Sequence, residues 1–130
     1  MDHLVVFKMM IRGVILMFER IDTICLTVSD VERSSSWYQE VLGLKEVFKG
    51  EGYRILNVGS SQIPLTIEEG STSSNENNTY PIFFTKEIEK TYKKLKEQGV
   101  DVAELINDGD NHFFDFFDLD NNKLQVCYWQ

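Results

Sequence analysis

Glu68 and His112 are the side chains whose types could move a proton or hold a metal ion. A carboxylate and an imidazole brought together can serve as general acid and base, or give oxygen and nitrogen donors to a divalent cation. His112 is one of two histidines, the other being His3. It has a plainer reading as a strand-end residue beside the Asp108-Gly109-Asp110 turn. Glu68 reads as an acid, a base, a metal ligand, or a solvated residue next to Glu69 at a strand end. The two cysteines, Cys25 and Cys127, are far apart without C-x-x-C spacing, so they make neither a zinc signature nor a disulfide framework. A nucleophilic thiol needs a cation nearby to lower its pKa. None is evident for either, and both read as small, unreactive residues. The acidic series Asp108, Asp110, Asp115, Asp118 and Asp120 lacks the spacing and terminal Glu of a calcium loop, and turn chemistry accounts for it.

The elements that must position these groups begin at Ile21–Leu44, IDTICLTVSDVERSSSWYQEVLGL. Ile24, Leu26 and Val28 alternate with Thr23, Cys25 and Thr27, which predicts a strand with one apolar face. Ser29 or Asp30 can cap a following helix, whose Val31, Trp37, Tyr38, Val41 and Leu42 form an apolar stripe. Gly43 stands where a helix-ending glycine belongs. Three short strands follow, in LKEVFK, GEGYRILNVG and SSQIPLTIEEG, with turns at the glycines. Residues 71–79 are Ser/Asn-rich and linker-like. The second half repeats the plan: a strand over Tyr80–Thr85, and a helix over Lys86–Gln98 with Ile88, Tyr92 and Leu95 on one face and Gly99 closing it. VDVAELIN, NHFFDFF and KLQVCYW supply three more strands. Val31 falls on Ile88, and Gly43 on Gly99 with a slip of one residue. A repeat of roughly 55 residues is too long for most solenoid units and reads as a duplicated βαβββ module.

Composition bounds the function. A chain of 130 residues with 42% hydrophobic content is long enough for one folded domain. The net charge of −8 argues against a nucleic-acid or anionic-membrane surface, both of which need a basic footprint. The N-terminal stretch is apolar but interrupted by Lys8, Arg12 and Arg20, so no run reaches the ~20 residues of a membrane span. Residues 1–16 read as an extension outside a single domain at 17–130, made of modules at 17–70 and 80–130. Two reduced thiols suit a cytoplasmic protein.

These residues resemble the vicinal oxygen chelate superfamily, which includes glyoxalase I, bleomycin-resistance proteins, fosfomycin-modifying enzymes and extradiol dioxygenases. The opening strand-helix run carries the likeness, together with the closing FFDFFDLDNNKLQVCYW, in which Leu119 and Asn121 replace the family's Pro and Gly. The resemblance covers about Phe18 to Trp129. It implies an α+β fold of two βαβββ modules forming a curved eight-stranded mixed sheet around a cavity, helices outside, and a homodimer. In metal-dependent members, ligands stand on the first and last strands of each module. The matching positions here are Thr23, Tyr80, Gln125 and, near the end of the first module, Pro64 or Thr66 with Glu68 beyond. None of the four best-aligned positions carries His or a carboxylate, which argues against the usual metal site.

By alternation, the concave face would carry Thr23, Cys25 and Thr27, then Thr66 and Glu68, then Tyr80, Ile82 and Phe84, then Gln125, Cys127 and Trp129. Aromatic walls with a few hydrogen-bonding groups suit a small organic ligand. The expected function is that of a metal-free binder of a small molecule, with no cofactor. The alternative is a divergent metal-dependent enzyme of lyase, thiol transferase or dioxygenase type, using Glu68 and His112 around a divalent metal. A third reading is a structural or regulatory protein whose cavity its own aromatics close.

Overall fold

The computed structural model describes residues 17–73 and 79–130. The expected extension at 1–16, with His3, and the centre of the 71–79 linker lie outside the described residues. The first module runs β1 (Ile24–Val28), α1 (Val31–Leu42), β2 (Lys45–Gly50), β3 (Tyr53–Asn57) and β4 (Leu65–Glu69). Alternation sets β1 as expected: Leu26 and Val28 are buried and Cys25 is exposed. Asp30 is the residue that caps α1, its Oδ1 accepting from Arg33 N at 3.0 Å. A second carboxylate serves the same end, since Glu69 Oε1 at the end of β4 accepts from Val31 N at 3.2 Å. The helix stops at Gly43, whose φ of 72° is left-handed and costs least at glycine.

The second module runs β5 (Ile82–Phe84), α2 (Ile88–Glu97), β6 (Asp101–Val102), β7 (Ile106–Asn107), β8 (Asn111–Phe117) and β9 (Lys123–Trp129). β5 is shorter than expected because Pro81 has no N–H to give; its carbonyl instead accepts from Gln125 N at 3.0 Å. The single strand expected in VDVAELIN is split in two, both pieces pairing antiparallel with β8. Val31 and Ile88, matched in the sequence repeat, are each the first residue of their helix and each buried.

Hydrogen bonding resolves the expected eight-stranded sheet into two mixed sheets, ordered β1-β4-β3-β2 and β5-β9-β8-β6, with β7 also on β8. The orders are equivalent, module for module. In each, the first strand runs parallel to the last and the other pairs are antiparallel. One face of each sheet packs on its helix, and residues of both sheets and both helices join one core: Leu26, Tyr38, Leu56 and Ile67 with Leu95, Phe114, Phe116 and Leu124. Polar contacts also cross the modules. Tyr38 Oη donates to Asp118 Oδ2 at 2.7 Å, and Asn122 Nδ2 donates to both Asp118 Oδ2 and the Thr27 carbonyl at 2.9 Å. Asp118 Oδ1 accepts from the backbone of Asp120 and Asn122 within its own turn. There Asn121 takes a φ of 65°, the conformation expected of an Asn in place of Gly.

Candidate functional site

Strand parity gives each sheet a second, open face turned away from its helix. On the first sheet, register lines up Phe48, Ile55, Thr66 and Cys25 in one row, with Tyr53, Glu68 and Thr27 in the next. On the second, Ile82, Gln125 and Asp115 form a row, followed by Phe84, Cys127, Phe113 and Ile106. Cys25, Glu68, Ile82, Phe84 and Trp129 are exposed, while Thr23, Thr66, Tyr80, Gln125 and Cys127 are half-buried. By register, Cys25, Thr66 and Glu68 share one face of the first sheet, and Ile82, Phe84, Gln125 and Cys127 one face of the second, while Thr23 and Tyr80 precede β1 and β5. Phe48, Tyr53, Ile55, Asp115 and Lys123 join them without having been anticipated. Lys123 could have been found, since Lys123, Gln125 and Cys127 alternate plainly.

His112 is on the other side. It pairs with Tyr128 across β8 and β9, and the two rings meet edge to face at 6.1 Å. It shares that face with the fully buried Phe114 and Phe116. Glu68 therefore has no counterpart in His112 on the open faces, and the acid–base or ligand pair anticipated from their residue types does not form on one side of the sheets.

The polar groups of the open faces have specific partners. Thr23 Oγ1 donates to the Pro64 carbonyl at 3.0 Å and lies 2.8 Å from Thr66 Oγ1. With the Thr23 proton committed to Pro64, the Thr66 hydroxyl must donate to Thr23. On the second sheet, Gln125 Nε2 donates to Asp115 Oδ1 at 2.8 Å. The other carboxylate oxygen, Oδ2, lies 3.5 Å from Lys123 Nζ. That ammonium sits 4.0 Å from the centre of the Tyr80 ring, a cation–π contact. The Phe84 and Trp129 rings meet at 5.7 Å further along the same face.

Neither thiol is activated. Burial, then the charge of Glu68 and a hydrogen bond to it, push the Cys25 thiol up from its ordinary 9.0. Burial alone raises Cys127. Both effects disfavour the thiolate.

The residues at the metal-ligand positions do not fit a divalent cation. The Thr23 and Thr66 hydroxyls are engaged with each other and a carbonyl, Gln125 turns its amide N–H to Asp115, and Tyr80 lies under an ammonium. Among the described residues no three His, Cys, Asp or Glu side chains come together as a metal site. A separate cavity of about 430 Å³ lies at the junction of the modules on the helix side, walled by Leu44, Val58, Phe83, Leu95, Phe116 and Val126. Of the open-face residues only Phe84 reaches it. Among the described residues no helix is long and apolar enough to cross a membrane.

Comparison with known proteins agrees with this architecture. A model of the Glyoxalase/Bleomycin resistance protein/Dioxygenase superfamily matches residues 20–126. The metallothiol transferase FosB of Staphylococcus epidermidis is 29% identical over 116 residues, which span 85% of this chain and 84% of that protein. Among solved structures, TnmS3, an antibiotic binding protein from Streptomyces sp. CB03234, superposes with a TM-score of 0.77 at 17% identity, covering 88% of this chain and 99% of that one. The fosfomycin resistance protein FosX of Listeria monocytogenes, solved with Mn(II) and sulfate, gives 0.74 at 17% identity over 88% and 93% of the two chains.

Proposed function

Since the chain belongs to the Glyoxalase/Bleomycin resistance protein/Dioxygenase superfamily, we propose that it binds a small organic molecule on the open faces of its sheets. In this reading, recognition is by side chains and not by a metal ion. The observation that carries it is the make-up of the second open face. Exposed Ile82, Phe84 and Trp129 lie beside a connected Gln125–Asp115–Lys123 group. An apolar strip with a few oriented polar groups at one end is the usual composition of a small-molecule site. Thr23, Thr66, Cys25 and Glu68 contribute a second, more polar wall.

Exposed aromatics on a sheet face need cover. Phe48 is 51% exposed, Phe84 50% and Trp129 58% in the single chain. We assign that cover to a second copy of the chain and the bound molecule together, so the working unit is a homodimer. With Cys25 and Cys127 both free, a reducing compartment such as the cytoplasm suits it.

The second reading, a metal-dependent thiol transferase, draws on the likeness to FosB, whose name states that chemistry. Metal analysis of protein made without a polyhistidine tag separates the two. Substoichiometric Mn, Zn, Ni and Fe, with ligand binding unchanged by a chelator, is the expected result. Stoichiometric metal that is lost in Glu68→Ala would overturn the metal-free reading.

A further inference from the structure

The second open face has a cation of its own, Lys123, at the start of β9 beside Tyr80. We propose that Lys123 is the recognition residue of this site, taking the anionic oxygen of a carboxylate at the polar end of an apolar-bodied ligand. This deepens the small-molecule reading above and rests on it.

Three observations support the assignment. First, the side chain is positioned. The Lys123 ammonium lies against the Tyr80 ring at 4.0 Å and near Asp115 Oδ2 at 3.5 Å, and Gln125 fixes that carboxylate from its other oxygen at 2.8 Å. A lysine held on two sides loses less rotamer freedom on meeting a ligand than a free surface lysine does. Second, the ammonium has donors to spare. It carries three N–H groups, one of which addresses Asp115 at a distance too long for a full hydrogen bond. Third, its surroundings are selective. In a chain of net charge −8, β5, β8 and β9 place no other Lys or Arg on this open face. Along the face from Lys123 come Gln125 with Ile82 beside it, then Cys127 with Phe84, then Trp129. An ammonium with unused N–H donors at one end of an apolar strip can meet the carboxylate of an amphipathic ligand. Asp115 faces Lys123 as a built-in counter-ion, so the ligand's oxygen competes with it for the ammonium's donors, and Gln125 holds Asp115 in place.

The test uses pairs of aromatic carboxylates and their uncharged primary amides, such as phenylacetate with phenylacetamide and 2-naphthoate with 2-naphthamide. Binding to the full-length protein is followed by tryptophan fluorescence and by protein NMR. The expected result is a preference of about tenfold or more for the acid over the amide, of the size a charge-assisted hydrogen bond gives. Lys123→Met should abolish that preference while still binding the amide, Lys123→Arg should keep it, and Asp115→Asn should increase it. Equal binding of acid and amide, or a preference that survives in a folded Lys123→Met protein, would overturn the Lys123 assignment and leave the small-molecule reading standing. Failure of both members of every pair to bind the wild-type protein would overturn both.

Discussion

The Tyr38 hydroxyl, on α1, donates a 2.7 Å hydrogen bond to Asp118 Oδ2, 80 residues further along the chain in the turn between β8 and β9. Both side chains are buried. Asp118 also receives Asn122 Nδ2, which reaches on to the Thr27 carbonyl at the end of β1. The contact therefore ties the helix of one module to the closing hairpin of the other. Tyr38→Phe removes one donor and leaves Asp118 its remaining partners, so the expected loss is about 1–3 kcal/mol. Asp118→Ala strips partners from Tyr38, Asn122 and the turn at once and should cost more. Urea unfolding of the two variants, with unchanged m-values, measures this; equal stability of Tyr38→Phe and wild type would refute the clamp.

The same pair makes stability fall in alkali. Burial first, then the charge of Asp118 and a hydrogen bond to it, then the charge of Asp120, hold the Tyr38 phenol well above its ordinary 10.0. A raised folded pKa means that the native state keeps the proton more tightly than the unfolded chain. The contribution is complete below pH 10.0 and is lost as pH climbs past it toward the folded value. The raised thiols of Cys25 and Cys127 add a decline that starts from 9.0. In a Cys25→Ala/Cys127→Ala background, denaturation midpoints should drop above about pH 10, and Tyr38→Phe should flatten that limb. A limb of unchanged slope in Tyr38→Phe would show that other groups cause it.

Cys25 should be a slow nucleophile. Burial and Glu68 both work against its thiolate, so alkylation by iodoacetamide at about pH 8 should lag behind that of an unstructured cysteine peptide. Glu68→Gln removes the charge and should speed labelling of Cys25 by about two- to fivefold, with Cys127 unaffected. Peptide mapping by mass spectrometry resolves the two sites. No change at Cys25 would detach Glu68 from it.

Arg54, 5% exposed on β3, donates to the carbonyls of Gly50 and Tyr53 and pairs with Glu46 Oε1 at 3.2 Å. Ser35 on α1 donates to the same carboxylate oxygen at 2.9 Å. Glu46→Ala would leave a buried guanidinium without its counter-ion, at an expected cost of about 3–5 kcal/mol. Glu46→Gln keeps an acceptor and should cost less. Thermal or urea denaturation orders the two variants, and the reverse order would refute the pairing.

Much of the fold was legible because it is written in short-range patterns. Ile24, Leu26 and Val28 alternate, the α1 stripe repeats at helical spacing, and Gly43 and Gly99 stand where a left-handed residue must end a helix. Each signal involves neighbours within a turn or two, so no knowledge of distant contacts is needed. The duplicated module follows from those same patterns, and the superfamily from the resemblance of the opening and closing runs, which the family model bears out.

His112 and Asp118 were not legible, for a physical reason. In NHFFDFF both faces are aromatic, so alternation carries no sign. Only pairing with β9, which sets His112 against Tyr128 and Asp115 against Gln125, decides which side meets the core. Asp115 and Asp118 read as one acidic, turn-forming series in the chain. In the fold, the first orients Gln125 and faces Lys123, and the second is buried under Tyr38. The amino-acid sequence by itself determined two halves of like plan, each a strand, a helix and further strands, and the glycines that close the helices. Only the tertiary structure decided which titratable groups share a face, because that depends on register and on contacts between residues up to 95 positions apart, as between Asn122 and Thr27, which no local periodicity encodes.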